Sequence, residues 1–160
     1  MPRYTPLADA HRPINGLAVN YRVLGFRPPM LMSSLGRCYL SFCPDNERKG
    51  ILEALARSPS EIDRLARSPN DIRRMVAHAR ERGFAARDPA PTSIDSPDRF
   101  GAISVPVHCV HHVIACLSCS WLPAIASERE VVMAYLPYLQ AAARAIEEKV
   151  RQAGLKPFGA

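Results

Sequence analysis

The sequence predicts an α+β fold, and three observations predict it. Residues between 31 and 83, and again after 127, place apolar side chains at helical spacing. Two consecutive runs between 100 and 121 alternate with the period of a strand. A turn near His111-His112 joins those runs, so an antiparallel hairpin is the simplest topology. The chain has 160 residues, 48% of them hydrophobic and 22% charged. That describes one domain, long enough to bury about two thirds of its unfolded surface. No run of 18 apolar residues occurs and the N-terminus lacks the pattern of a secretory signal, so a cytoplasmic location is expected, without membrane attachment.

In chain order, "GLAVNYRVL" (16–24) reads as a strand with Leu17, Val19, Tyr21 and Val23 on one face. Residues 31–43, "LMSSLGRCYLSFC", suit a short helix in which Gly36 marks a close backbone approach. The stretch "PDNERKGILEALAR" reads as a helix opened by Pro44 or Asp45, with Ile51, Leu52 and Leu55 facing inward.

The segment "ARSPSEIDRLARSPNDIRRM" (56–75) then nearly repeats itself after ten residues. In both copies a serine precedes proline and an acid follows, which predicts helices capped by Ser58 and Ser68. The second helix carries Ile72, Met75, Val76 and Ala79 on one stripe and stops at Gly83. Arg73, Arg74, Arg80 and Arg82 fall mainly outside that stripe, on a solvated face. The net charge of +6 and the pI near 9.4 raise the question of nucleic-acid binding. These arginines lack interleaved aromatics, and the first helix is too short for a helix-turn-helix, so the repeat itself is not read as a nucleic-acid grip.

Residues 87–99 are rich in proline, serine and aspartate and read as a loop. In the second hairpin strand, Val113, Ala115, Leu117, Cys119 and Trp121 share a core-like face, while Ile114, Cys116, Ser118 and Ser120 share a small, hydroxyl-lined one. That second face suits either the floor of a small-molecule pocket or a half-exposed sheet surface. Ser127 and Glu130 form a capping box for a C-terminal helix running to Gly154. Val132, Leu136, Leu139, Ala143, Ile146 and Val150 make its seam, and Pro137 is expected to kink or split it.

Cys38, Cys43, Cys109, Cys116 and Cys119 make an odd set, expected as reduced thiols. "HCVHHVIACLSC" is dense in ligand types, yet Cys116 and Cys119 point to opposite faces of a strand, so no metal is expected. A cysteine nucleophile at Cys38 or Cys43, with a hairpin histidine as base, would make the protein an enzyme, but nothing in the sequence fixes that geometry. Asp88, Asp95 and Asp98 read as solvated loop acids.

The motifs "RPPMLMSSLGRCYLSFCPDNER", "ARERGFAARD", "FGAISVPV" and "IACLSCSWLP", followed by a long C-terminal helix, resemble in order the effector-binding domain of the IclR family of bacterial transcriptional regulators. The resemblance spans about Gly25 to Gly154, leaving 1–24 as an N-terminal strand region and 155–160 as a tail. It is nearest the branch resembling regulators of aromatic-acid catabolism, with Arg87 after the "GF" turn and Trp121 ending the last strand. The resemblance implies a GAF-like domain in which a curved antiparallel sheet and flanking helices enclose a small carboxylate or aromatic effector. By motif position its pocket falls on Ser34, Leu35, Gly36, Arg87, Asp88, Ala102, Ser104, Ser118 and Ser120. Two of these serines also lie on the hydroxyl face that strand parity picks out.

No catalytic residue and no cofactor is implied. The chain begins too late to include the family's winged helix-turn-helix, so DNA contact is expected only through a separate domain. A homo-oligomer, dimer or tetramer, is implied as well. The rival readings are a GAF-like enzyme with a reactive cysteine and a pure oligomerisation module.

Overall fold

The computed structural model describes residues 27–89 and 100–155. The strand expected at 16–24, most of the 87–99 loop, with Asp95 and Asp98, and the end of the tail lie outside them. The described elements are α1 (Ser34–Phe42), α2 (Asp45–Ala56), a 3-10 helix (Glu61–Arg67), α3 (Pro69–Arg82), β1 (Ala85–Ala86), β2 (Gly101–Cys109), β3 (His112–Trp121) and α4 (Glu128–Gln152). The fold is α+β: a small antiparallel sheet in the order β1-β2-β3, flanked by helices.

Register makes the two faces of this sheet chemically different. Ile103 pairs with Cys119, Val105 with Leu117 and Gly101 with Trp121, and these pairs face one way. Against them lies α4, through Val131, Val132, Leu136, Leu139 and Ala143, in a core completed by Phe84 and Val107. Each fully buried aliphatic side chain there contributes about 1.5–3 kcal/mol. The alternate pairs, Ala102 with Ser120, Ser104 with Ser118 and Pro106 with Cys116, face the opposite way. On that side α1 packs through Cys38 and Phe42, with Ala79, Ala85 and Cys116. A third cluster joins α1, α2 and α3 through Leu31, Leu40, Ile72 and Val76, with Ile51, Leu52 and Leu55 packed at its edge.

The helix ends show where local rules compete. The first serine-proline copy is capped by Ser60, which accepts from the Ile62 amide at 3.3 Å, while Ser58 accepts from Ser60 N at 3.2 Å and forms the turn before it. The expected Ser58 cap is thus displaced by two residues, and the helix that follows is a 3-10 helix. Ser68 is the cap residue of α3, but its hydroxyl bonds the Asp71 carboxylate and not the helix backbone. Gly83 closes α3 with φ 73°, the left-handed conformation glycine adopts freely.

Two arginines expected on a solvated face instead tie elements together. Arg80 donates to the Ser41 carbonyl at 2.7 Å, and Arg82 lies 4.0 Å over the Phe84 ring while pairing with Glu128 at the start of α4.

α4 begins with the full capping box, Ser127 Oγ accepting from Glu130 N while the Glu130 carboxylate accepts from Ser127 N. The helix runs unbroken through Pro137, because Met133, Pro137 and Tyr138 are exposed and the carbonyl that lost its donor lies on the solvent side. Its inner stripe includes the buried Val131, whereas Ile146, expected in the seam, is partly exposed. The hairpin turn is Val110-His111, one residue earlier than expected, and a register shift between Val107 and His108 precedes it.

Three outcomes follow from these local structures. A Cβ at Gly36 would overlap the Met30 carbonyl, so Gly36→Ala should destabilise by about 2–3 kcal/mol in urea unfolding. Val110 holds φ 57° while 74% exposed, so Val110→Gly should raise stability by up to about 1 kcal/mol, by relieving a β-branched residue of a left-handed backbone. The Ser127 donors hold the Glu130 carboxyl below its ordinary value of 4.5. Its contribution is therefore full above that value and lost as pH falls through the depressed one. Ser127→Ala should return the NMR-titrated Glu130 toward the ordinary value and lower the Tm.

Candidate functional site

The serine-lined face of the hairpin meets the start of α1, and the meeting is built from hydroxyls. Ser33 caps the helix by accepting from Gly36 N at 3.0 Å. Ser34, next along, turns its side chain into the sheet, where it is 3% exposed, against Ser104, which is 0% exposed. Ser104 Oγ donates to Ser34 Oγ at 2.8 Å, and Ser118 Oγ donates to the Ile103 carbonyl at 3.1 Å. Each hydroxyl has one proton, so the remaining 3.4 Å contact between Ser34 and Ser118 has Ser34 as donor. The result is a directed chain from Ser104 through Ser34 and Ser118 to the Ile103 carbonyl. Its buried end is tight and its outer end is long. Ser118 and Ser120 are exposed on β3, and Ala102 lies beside Ser120 in the register.

Arg37, one turn into α1, fastens the other side of the seam. Its Nε donates to the Leu31 carbonyl at 2.8 Å, one terminal nitrogen donates to the Ala86 carbonyl at 3.4 Å, and the other pairs with the Asp88 carboxylate. Burial pulls the guanidinium below its ordinary value, and the Asp88 charge opposes that shift. Backbone bonds complete the clasp: Arg87 N donates to the Ala102 carbonyl at 2.8 Å and Asp88 N to the Met32 carbonyl at 2.9 Å. Asp88, expected in the pocket, thus has its carboxylate engaged by Arg37.

Of the residues singled out by sequence, Ser34, Ser104 and Ser118 are directly bonded, and Arg87 and Ala102 meet through their backbones. Leu35 is half-buried on α1, and Gly36 faces the Met30 carbonyl, its lack of a side chain used for packing. Arg37 was not singled out. The signal available was a lone cation in the otherwise uncharged "SLGRCYLSF" of α1.

Other chemistries find less support. Among the described residues no group of three or more histidine, cysteine or acidic side chains could hold a metal. Cys116 lies on the α1 side and Cys119 on the α4 side, as strand parity requires. Cys43 is buried, and desolvation pushes its thiol up to about 11, the reverse of an activated nucleophile. A groove of about 370 Å³ between α3 and β1 is lined by Arg37, Arg74, His78 and Arg82. Its guanidiniums are already paired, with Asp88, Asp71 and Glu128.

A small antiparallel sheet clasped between a short capped helix and a long one, with paired hydroxyls where the short helix meets the hairpin, defines an α+β domain. Comparison with known proteins agrees. The family model of the bacterial transcriptional regulator IclR C-terminal region matches residues 16–148, and the chain belongs to that family.

Among solved structures, the chain is similar to the C-terminal domain of the E. coli transcriptional regulator KdgR, at 25% identity and a TM-score of 0.59, covering 77% of this chain and 71% of that one. It is similar to the inducer-binding domain of the PobR transcription factor from Acinetobacter, solved as a double mutant with 3-hydroxybenzoic acid, at 21% identity and a TM-score of 0.60, covering 80% and 72%. It also resembles a transcriptional regulator, RHA06195, from Rhodococcus sp. RHA1, at 19% identity and a TM-score of 0.57, covering 78% of this chain. The chain spans only 47% of that regulator's length. All three are transcriptional regulators or domains of them.

Replacing Arg37 by methionine removes the donors to Leu31, Ala86 and Asp88 together. The expected loss is about 2 kcal/mol in denaturant unfolding, since the pair is mostly but not fully buried.

Proposed function

We propose that this domain senses a small carboxylate, aromatic in preference to aliphatic, at the mouth of the seam between α1 and the hairpin, and that binding biases DNA contact made by a separate domain. The site takes in Ser34, Leu35, Gly36, Arg87, Asp88, Ala102, Ser104, Ser118 and Ser120. Membership of the family supports a regulatory role, and the acid in the Acinetobacter structure supports the ligand class.

The observation that carries the reading is the long outer link of the hydroxyl chain. At 3.4 Å the Ser34-Ser118 bond is the longest in the hydroxyl chain, so a carboxylate oxygen can accept from Ser34 in its place at little cost, in a shorter charge-assisted bond. The other carboxylate oxygen would accept from the exposed Ser120 hydroxyl, and from Ser118 once its proton turns away from the Ile103 carbonyl. Parting Ser34 from Ser118 loosens α1 from β3 while the Ser104 bond holds. A ligand that binds the loosened arrangement better shifts the balance between the two, which is all that regulation requires. No reaction is involved.

The exposed Met133, Tyr135 and Tyr138 on α4 support self-association, as dimer or tetramer. No helix among the described residues is long and apolar enough to cross a membrane, and a cytoplasmic setting fits a regulator.

The test is the Tm against benzoate, hydroxybenzoates and short aliphatic carboxylates. A ligand at 100 times its Kd should add about 2.7 kcal/mol, a shift of several degrees. The shift should appear with aromatic acids and be lost in Ser118→Ala and Ser120→Val. A shift that survives both substitutions, or none with any acid, contradicts the reading.

A further inference from the structure

One step along the same seam, a second pair of side chains meets. Cys38 follows Ser34 by four residues on α1, a rise of about 6 Å, and Cys116 precedes Ser118 by two on β3, a rise of about 6.6 Å. The matched steps that bring Ser34 to Ser118 therefore also bring Cys38 to Cys116. Cys38 and Cys116 pack together within one small cluster with Ala79, Ala85 and Phe42. Cys38 is 0% exposed, whereas Cys116 is only partly buried.

We infer that Cys116 and Cys38 are a thiol modification site that reacts with low-molecular-weight disulfides to cross-link α1 to β3. The Cys116 thiolate attacks one sulfur of the small disulfide, forms a mixed disulfide and releases the first small thiol. The Cys38 sulfur then attacks Cys116 Sγ, and the second small thiol leaves. Two protein thiols are oxidised to one disulfide, one small disulfide is reduced to two thiols, and the two thiol protons go to the leaving groups.

The division of labour follows from the surroundings. Interaction with the neighbouring Cys38 thiol holds Cys116 below the ordinary thiol value against its burial, while interaction with Cys116 and then burial push Cys38 up. Once Cys116 is a neutral mixed disulfide, the adjacent negative charge that opposed ionisation of Cys38 is gone. The other thiols lack such a neighbour. Cys109 donates to the Leu155 carbonyl at 3.3 Å, Cys43 contacts the Leu40 carbonyl at 3.8 Å, and Cys119 packs on the α4 side. The cross-link would fix α1 on β3 whatever the domain senses, so the inference stands apart from the effector reading.

The whole chain, reduced and then exposed to oxidised glutathione, should lose two hydrogens in mass. Peptide mapping should join Cys38 to Cys116 and leave the other thiols free, and dithiothreitol should reverse the change. In Cys38→Ala, glutathione should remain attached at Cys116. A lasting glutathione adduct at Cys116 beside a free Cys38 in the unsubstituted chain, bridges that use other cysteines, or no reaction would overturn the inference. The unsubstituted chain decides the matter even if Cys38→Ala fails to fold.

Discussion

A hydroxyl shut between a helix and a sheet has to be paired, and the pairing of Ser34 with Ser104 fixes the rest of this structure. Left alone, either group would cost about 1–3 kcal/mol. Together they demand that α1 begin opposite the middle of β2. Gly36 lets the helix come that close, because any side chain would meet the Met30 carbonyl. Arg37 then ties the same turn to Leu31, Ala86 and Asp88. With α1 committed to one face of the sheet, the apolar face is left to α4, whose Val131 and Ala143 complete the main core.

This arrangement joins a firm contact to a soft one. Ser104 and Ser34 are buried and close, whereas Ser118 is exposed and holds Ser34 at 3.4 Å. The hydroxyl chain is longest at its outer edge and shortest at its buried anchor. Cys38 and Cys116 lie along the same line, so the two proposed chemistries would act on one contact, a carboxylate loosening it and a cross-link fixing it. Both operate on the position of α1 relative to β3.

Much of this was legible in the sequence where the governing physics is local. Strand parity placed Leu117 and Cys119 against the core and Ser118 on the opposite face, and the Ser127-Glu130 box marked the start of α4. The i, i+3, i+4 stripe of α3 was correct at Ile72, Val76 and Ala79. What was missed depends on partners distant in the chain. Arg37 reads as an ordinary helix cation until Ala86 and Asp88 arrive beside it. Ser58 and Ser60 compete for one helix end, and the sequence offers both. Ile146 fits the apolar stripe of α4, but among the described residues the sheet does not cover it fully. A φ of 57° at Val110 has no local signal, since β-branched residues seldom adopt a left-handed backbone.

The central claim is that ligand chemistry acts at the seam between α1 and the hairpin, and amide chemical-shift mapping with benzoate addresses it most directly. Perturbations concentrated at Ser34, Leu35, Ser104, Ser118 and Ser120, fading toward α2, are what the account predicts. Perturbations centred on Arg74, His78 and Arg82 would place the ligand in the basic groove beside α3 and contradict it.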